Sequence, residues 1–496
     1  MSNAETKAGR SVKPFFHSSF IIHHSAFVLV ALLALAVRLP QLGVRPMHTD
    51  EAVNAYMTGK LLAGETYRYD PQDRHGPALV ELTLPLVRWE GAQKFSDLTE
   101  SWLRMVPVLA GSATVLLFGA AVEMFGFIPC LVAALLFAFA PLPVYYSRYF
   151  IHETLFVAAT LGLILSGWRA ASKSSLWFAA IAGLCAALML ASKETAALHF
   201  FALGLAAVIG WQLHATGKIP PVKIWLATLI TFLVGGVLLF TWFGQNWSVL
   251  ADLFRAIPHL AARAGGEGHE KPFSYYFILL TGGWSGAAIL ILSLLGFSRA
   301  SNSFARLALA IYAVLIGAIY CAIPYKTPWL ALNFWLPLAL LAGFAGERLW
   351  FATTRFSVRA AILAGCGALG FLIAHDTQQR VFLHPADEKN PYAYAHTTED
   401  LPSLPVRLQE LARQNKIQNP RIAVVAADAW PLPWYLRKFS TVGYWQPGQE
   451  TGDADFFITT TDVSGKLAER LNKNFRPDYF GARPNVLIIL WTPAKP

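Results

Sequence analysis

Apolar runs of about 20 residues recur along most of the chain, and no soluble core can absorb so many of them. Crossing about 30 Å of hydrocarbon at about 1.5 Å per residue takes about 20 residues of helix. Candidate spans fall near 22–42, 104–122, 127–146, 154–171, 175–192, 195–213, 223–244, 275–297, 306–323, 329–346 and 359–375. That is about eleven, or ten to twelve if closely spaced pairs divide differently. Charge supports the reading: 14% of residues are charged and 55% hydrophobic, where a soluble domain carries about 25% charged. One membrane-embedded body therefore replaces the roughly three soluble domains that such a length suggests. The first span follows about twenty polar residues without an A-x-A site, so it reads as a retained helix, not a cleaved signal peptide.

The basic residues then set an orientation. With the N-terminus inside, Lys7, Arg10 and Lys13, Arg169 with Lys173, Lys218 with Lys223, Arg299 with Arg306, and Arg348 with Arg355 and Arg359 all gather on the cytoplasmic face. That is the positive-inside pattern, and it accounts for the net charge of +10 without nucleic acid as a partner. Membrane lipid is the surrounding partner instead. Cys130, Cys185, Cys321 and Cys366 each sit in an apolar run with no CxxC pair, and read as small buried hydrophobes.

Two long excursions fall on the opposite face: 43–103 and the tail 376–496. In the tail, 421–426, 441–445, 455–460 and 486–491 read as strands, and 403–415, 429–438 and 463–473 as helices. The expected fold is thus a polytopic α-helical membrane domain, 1–375, followed by a small extracytoplasmic α/β domain, 376–496, with the C-terminus outside.

Ionisable residues avoid the span centres and crowd the outer ends. His48-Thr49-Asp50-Glu51 opens an amphipathic helix, where Thr49 or Asp50 would cap and Glu51 would meet the positive dipole end. Asp73-Arg74-His75-Gly76-Pro77 opens a second apolar helix. Between the third and fourth spans stands Tyr145-Tyr146-Ser147-Arg148-Tyr149-Phe150-Ile151-His152-Glu153. Its aromatics suit an interface belt, its Arg suits phosphate, and His152 with Glu153 suits a divalent cation such as Mg or Mn. Ser192-Lys193-Glu194 and Tyr325-Lys326-Thr327-Pro328-Trp329 close the same face, where a lone Lys could also simply snorkel.

The stretches HTDEAVNAY, YSRYFIHET, SKETA, YKTPW, NPYAYAHT and DAWPLPWYLR resemble the GT-C superfamily, specifically its protein O-mannosyltransferase-like, flippase-activity-associated branch. Such proteins are polytopic glycosyltransferases that take sugars from polyprenyl-phosphate donors. The resemblance implies that Asp50, with Glu51 beside it, engages the acceptor as the catalytic acid–base pair. It implies that Glu153 with His152 occupies the second acidic position, which in parts of the superfamily helps hold a metal. Arg148, Lys193, Lys326 and His75 are then the donor-phosphate contacts. The expected partners are a polyprenyl-phosphate-linked sugar donor and a glycan, lipid or protein acceptor. The chain lacks a WWDYG-like signature, which separates it from the oligosaccharyltransferases. A lipid-linked sugar flippase or transporter is the runner-up, and a non-catalytic lipid-glycan-binding component the third reading.

Overall fold

The computed structural model describes residues 15–70, 75–214, 219–266 and 268–494, and leaves the side chains of 15–24, 260 and 263 undescribed. Lys7, Arg10, Lys13, Asp73, Arg74 and Lys218 lie outside the described residues. Among the described residues, 8 helices are long and apolar enough to cross a membrane: Glu100–Ala120, Glu153–Lys173, Ala196–His214, Val222–Phe240, Trp284–Asn302, Phe304–Ala322, Pro328–Phe351 and Phe356–Leu383. Three shorter apolar helices, Ser25–Arg38, Phe127–Phe139 and Leu176–Ser192, match the remaining expected spans.

Pro328–Phe351 runs through the middle of the bundle, with nearly every side chain from Ala331 to Ala345 buried. Gly343 makes this possible: a Cβ there would stand 2.4 Å from the Pro129 carbonyl oxygen, so the two helices touch backbone to backbone. At the lipid-facing rim the opposite holds. Val222–Phe240 exposes Leu226, Leu229, Ile230, Leu233 and Val234, an apolar surface that only hydrocarbon can cover.

Two expected spans are interrupted. The run 127–146 breaks between Phe139 and Pro141. Pro141 and Pro143 have no N–H to return to the carbonyls of Phe137 and Phe139, four residues earlier. Arg38 Nη2 donates to Phe137 O at 2.7 Å and Thr377 Oγ1 to Phe139 O at 2.6 Å, supplying those missing bonds from other helices. The run 275–297 divides into Tyr275–Thr281 and Trp284–Gly296 at the Gly282–Gly283 pair, where Arg380 donates to the Gly282 carbonyl.

The first excursion folds as helices Thr49–Leu62 and Ala78–Glu90. The tail forms a 5-stranded sheet in the order β2-β1-β3-β5-β4. Its strands are β1 (Arg421–Val425), β2 (Thr441–Trp445), β3 (Phe456–Thr460), β4 (Phe475–Arg483) and β5 (Val486–Pro493). The first three run parallel and β5 antiparallel to β3. Strand β4 departs from the sequence expectation. Pro477 and Gly481 interrupt its pattern, and it survives as an edge strand because it pairs with β5 alone. Of the three expected tail helices, Leu404–Gln414 and Gly465–Asn474 form at length, while 429–438 gives only the short turn Leu432–Tyr435.

One core joins excursion and tail. Met47, Leu79 and Leu103 pack with Leu404, Trp434, Ile458 and Phe480. Trp434 is fully buried, donates Nε1–H to Glu100 at 2.8 Å and carries the Arg437 guanidinium 3.5 Å above its ring. Large aromatic area plus a satisfied polar tip fixes the sheet against this end of the bundle.

Candidate functional site

The helix Thr49–Leu62 begins with a cap that the sequence reading, naming Thr49 or Asp50, assigned one or two residues too late. His48 is the N-cap: its Nδ1 accepts from the Asp50 N–H at 3.1 Å, and Glu51 Oε2 accepts from the His48 N–H at 3.2 Å. His48 Nε2 faces the Tyr394 carbonyl at 3.2 Å, which can only accept, so the proton sits on Nε2 and Nδ1 keeps its lone pair. Burial pulls the His48 pKa below its ordinary value although Asp50 and Glu51 oppose the shift. The ring is therefore a neutral cap. Asp50, relieved of capping, has a side chain 48% exposed and 3.9 Å from His48 Nδ1.

Glu51 is spent on structure. It is fully buried, and its carboxylate takes Arg104 Nε at 2.7 Å, Arg104 Nη2 at 2.8 Å, Arg45 Nη2 at 3.3 Å and the Phe150 N–H at 2.8 Å. Burial works against its charge, yet Arg104 and Arg45 hold the carboxyl well below the usual carboxylate range. No oxygen is left for a substrate. Arg148 is occupied in the same way: it donates to the carbonyls of Arg38, Pro40 and Gln41 at 2.6, 2.6 and 3.2 Å, closing the C-terminus of the first span. Lys326 donates to the carbonyls of Ile323 and Lys271 at 2.5 and 3.2 Å. These three expected site residues are held by the fold itself.

A second group gathers His75, His152, Glu153, Lys193 and Glu194. Lys193 Nζ donates to Glu153, both side chains being buried. His152 is buried, hydrogen-bonded to the Gly76 carbonyl, and pushed well below the ordinary histidine pKa by burial, then by His75 and Lys193. His75 Nδ1 lies 2.9 Å from Glu194 Oε2, whose other oxygen accepts from Tyr69 Oη at 2.7 Å. Burial disfavours the Glu194 charge, but His75 and the Tyr69 hydroxyl hold its carboxyl down to about 2. The His75 and His152 rings meet edge to face at 5.3 Å. On the neighbouring helix Ala196–His214, His199 is buried and bonded to the hydroxyls of Tyr312 at 2.7 Å and Tyr320 at 3.2 Å.

This arrangement does not fit the expected divalent cation. Lys193 already provides the positive charge at Glu153, and His152 is engaged by backbone. Among the described residues, no three His, Cys, Asp or Glu side chains come together as ligands.

Phe150, bonded to Glu51, and His152, against His75, stand two positions apart, so the start of helix Thr49–Leu62 and the His75 group adjoin one segment. An aromatic set completes it: the His48 ring contacts Tyr149, Trp329 and His396 at 5.4, 5.9 and 5.5 Å. His396 is buried with both ring nitrogens unpartnered. Sequence reasoning singled out neither Tyr69 nor Arg104, and quoted His396 only within a motif. A histidine or arginine in an apolar context was the available signal for the last two. Tyr69 gave none.

The fold has known relatives. Residues 89–240 match the family described as dolichyl-phosphate-mannose-protein mannosyltransferase. ArnT from Cupriavidus metallidurans, solved bound to undecaprenyl phosphate, superposes with a TM-score of 0.63 at 15% identity, over 93% of this chain and 97% of that one. The oligosaccharyltransferase AglB from Archaeoglobus fulgidus, solved with an inhibitory peptide and a dolichol-phosphate, gives 0.56 at 13% identity, over 97% of this chain and 77% of that one. No curated protein sequence matches the chain. The GT-C resemblance read from the motifs is borne out, and the chain is a polytopic membrane protein with the GT-C fold.

Proposed function

We propose that the protein transfers a sugar from a polyprenyl-phosphate donor to a glycan, lipid or protein acceptor at the outer face of the cell's inner or plasma membrane. The N-terminus then lies in the cytoplasm and the sheet outside. One observation carries the reading: at the first turn of Thr49–Leu62, Asp50 alone of the acidic pair keeps a half-exposed carboxylate, while Glu51 is saturated. A general base must reach the proton it removes. Asp50 meets that condition and Glu51 does not.

In this mechanism the acceptor hydroxyl gives its proton to Asp50 as its oxygen attacks the anomeric carbon. The bond from that carbon to the phosphate oxygen breaks, and the configuration inverts. The donor phosphodiester carries one negative charge and the departing polyprenyl phosphate two, so cationic and N–H groups facing it lower the barrier. In this reading His75 meets that charge, Lys193 being paired with Glu153. Glu51, Arg148 and Lys326 hold the wall. Similarity to folds solved with undecaprenyl phosphate and dolichol-phosphate supports the same class of lipid carrier here.

Lipid mass spectrometry on the purified protein is the direct test, followed by transfer of the radiolabelled sugar from whatever carrier co-purifies. A polyprenyl-phosphate sugar in the bound lipid, turned over by the protein, is the expected result. Bound phospholipid alone, with no turnover of any polyprenyl-phosphate sugar, would remove the proposal.

A further inference from the structure

His75 is fixed at its backbone and at one ring nitrogen. Its carbonyl accepts from Tyr67 Oη at 2.5 Å. The next residue, Gly76, lies so close to the end of helix Leu176–Ser192 that a Cβ would stand 2.3 Å from the Ala191 carbonyl oxygen, so only glycine allows the approach. That approach brings the ring to Glu194, 119 positions away in sequence. Glu194 is ionised and can only accept, so the hydrogen bond places a proton on His75 Nδ1 and turns Nε2 outward. Among the described residues Nε2 has no partner, and the side chain is 31% exposed. Tyr69 donates to the other Glu194 oxygen and stops the carboxylate from rotating away.

We propose that Glu194 and Tyr69 are positioning residues that aim His75 Nε2 at the phosphate of the lipid carrier. The inference rests on the polyprenyl-phosphate reading above and deepens it. A carboxylate behind an imidazole fixes which ring nitrogen is presented. When the sugar leaves, the phosphate gains its second negative charge, and a ring that has taken a proton from solvent on Nε2 donates it to a phosphate oxygen while Nδ1–H stays on Glu194. Lys193, already paired with Glu153, leaves this contact to His75.

The test measures binding of undecaprenyl phosphate and, separately, of undecaprenol to the full chain in detergent. Wild type should prefer the phosphate. His75→Asn keeps the Glu194 bond but presents nothing outward, and should lose about tenfold in phosphate affinity, equal to about 1.4 kcal/mol. His75→Gln places an amide nitrogen near the Nε2 position and should restore most of it. Glu194→Gln should cost a similar factor without changing undecaprenol binding, and adding it to His75→Asn should cost nothing more. Additive losses, or an equal fall in undecaprenol binding, would make Glu194 a mere structural support and overturn the inference. A wild type with no preference for the phosphate would instead overturn the lipid-carrier reading itself, and this inference with it.

Discussion

Two groups of charge share the sheet-bearing end of the bundle, and they are built to different rules. Both oxygens of the Glu51 carboxylate are matched: Arg104 and Arg45 supply the cations, and the N–H groups of Phe150 and His48 fill what remains. Around Asp50 and His75 one atom of each residue is left facing outward. Burying charge is costly unless it is paired and hydrogen-bonded, so the first group can exist only as a closed knot. The second keeps access to water and can hand protons or hydrogen bonds to something that arrives. Saturation, more than charge or proximity, separates the residues that hold the wall from those that can act on a substrate.

The largest expected effect tests the open side. Asp50→Asn keeps the size of the side chain and removes its basicity. Loss of a general base costs about 10²–10⁴-fold, or roughly 3–5 kcal/mol of barrier. Because His48 caps the helix, the thermal midpoint should hold. The measurement is sugar transfer from the polyprenyl-phosphate donor beside thermal unfolding in detergent. Near-normal transfer by the Asn variant would break the comparison at its active end.

The knot should respond the other way round. Glu51→Gln leaves Arg104 and Arg45 buried with a neutral partner, and removing one member of a buried pair costs about 3–5 kcal/mol of stability. The sign with pH follows from the depressed carboxyl: its stabilisation is complete above the unfolded carboxylate range, near 4.3, and is lost as pH falls through the lower folded value. Wild type and variant should therefore differ most at neutral pH and converge in strong acid. A variant as stable as wild type at pH 7, yet inactive, would move Glu51 from the wall into the chemistry.

Sequence carried this distinction only in part. The spans were legible because bilayer thickness dictates their length, and the capping position was visible to within one or two residues. The break at Gly282–Gly283 was not, since two glycines inside an apolar run read as continuous helix. The knot was hidden by distance: Arg104 meets Glu51 across 53 positions, and nothing local marks it as that carboxylate's partner. The same holds for Glu194 and His75. Sequence placed both near one face, but only the His75 Nδ1–Glu194 contact, which the Gly76–Ala191 approach brings about, shows which nitrogen turns outward. Pairing across a fold decides which charges are saturated, and pairing is what a single chain read in order conceals.

Glu81 sharpens the rule, because it belongs to neither group. It lies in the first turn of Ala78–Glu90 with both carboxyl oxygens buried and unpartnered, and burial pushes its pKa up to about 8. An unsaturated carboxyl is thus present that is closed to water. A raised folded value means that the fold keeps a proton which the unfolded chain releases above about 4.3, so stability from this group falls as pH rises from there to about 8. Glu81→Gln is neutral throughout and removes that slope. The variant should match wild type near pH 4 and be more stable at pH 7, by roughly 1–3 kcal/mol, since Glu81 is only partly buried as a whole residue. Sugar transfer should be unchanged. If the variant instead lost transfer as Asp50→Asn is expected to, access to water would not be what marks a working carboxylate here. The proton held on Glu81 would then belong to the reaction.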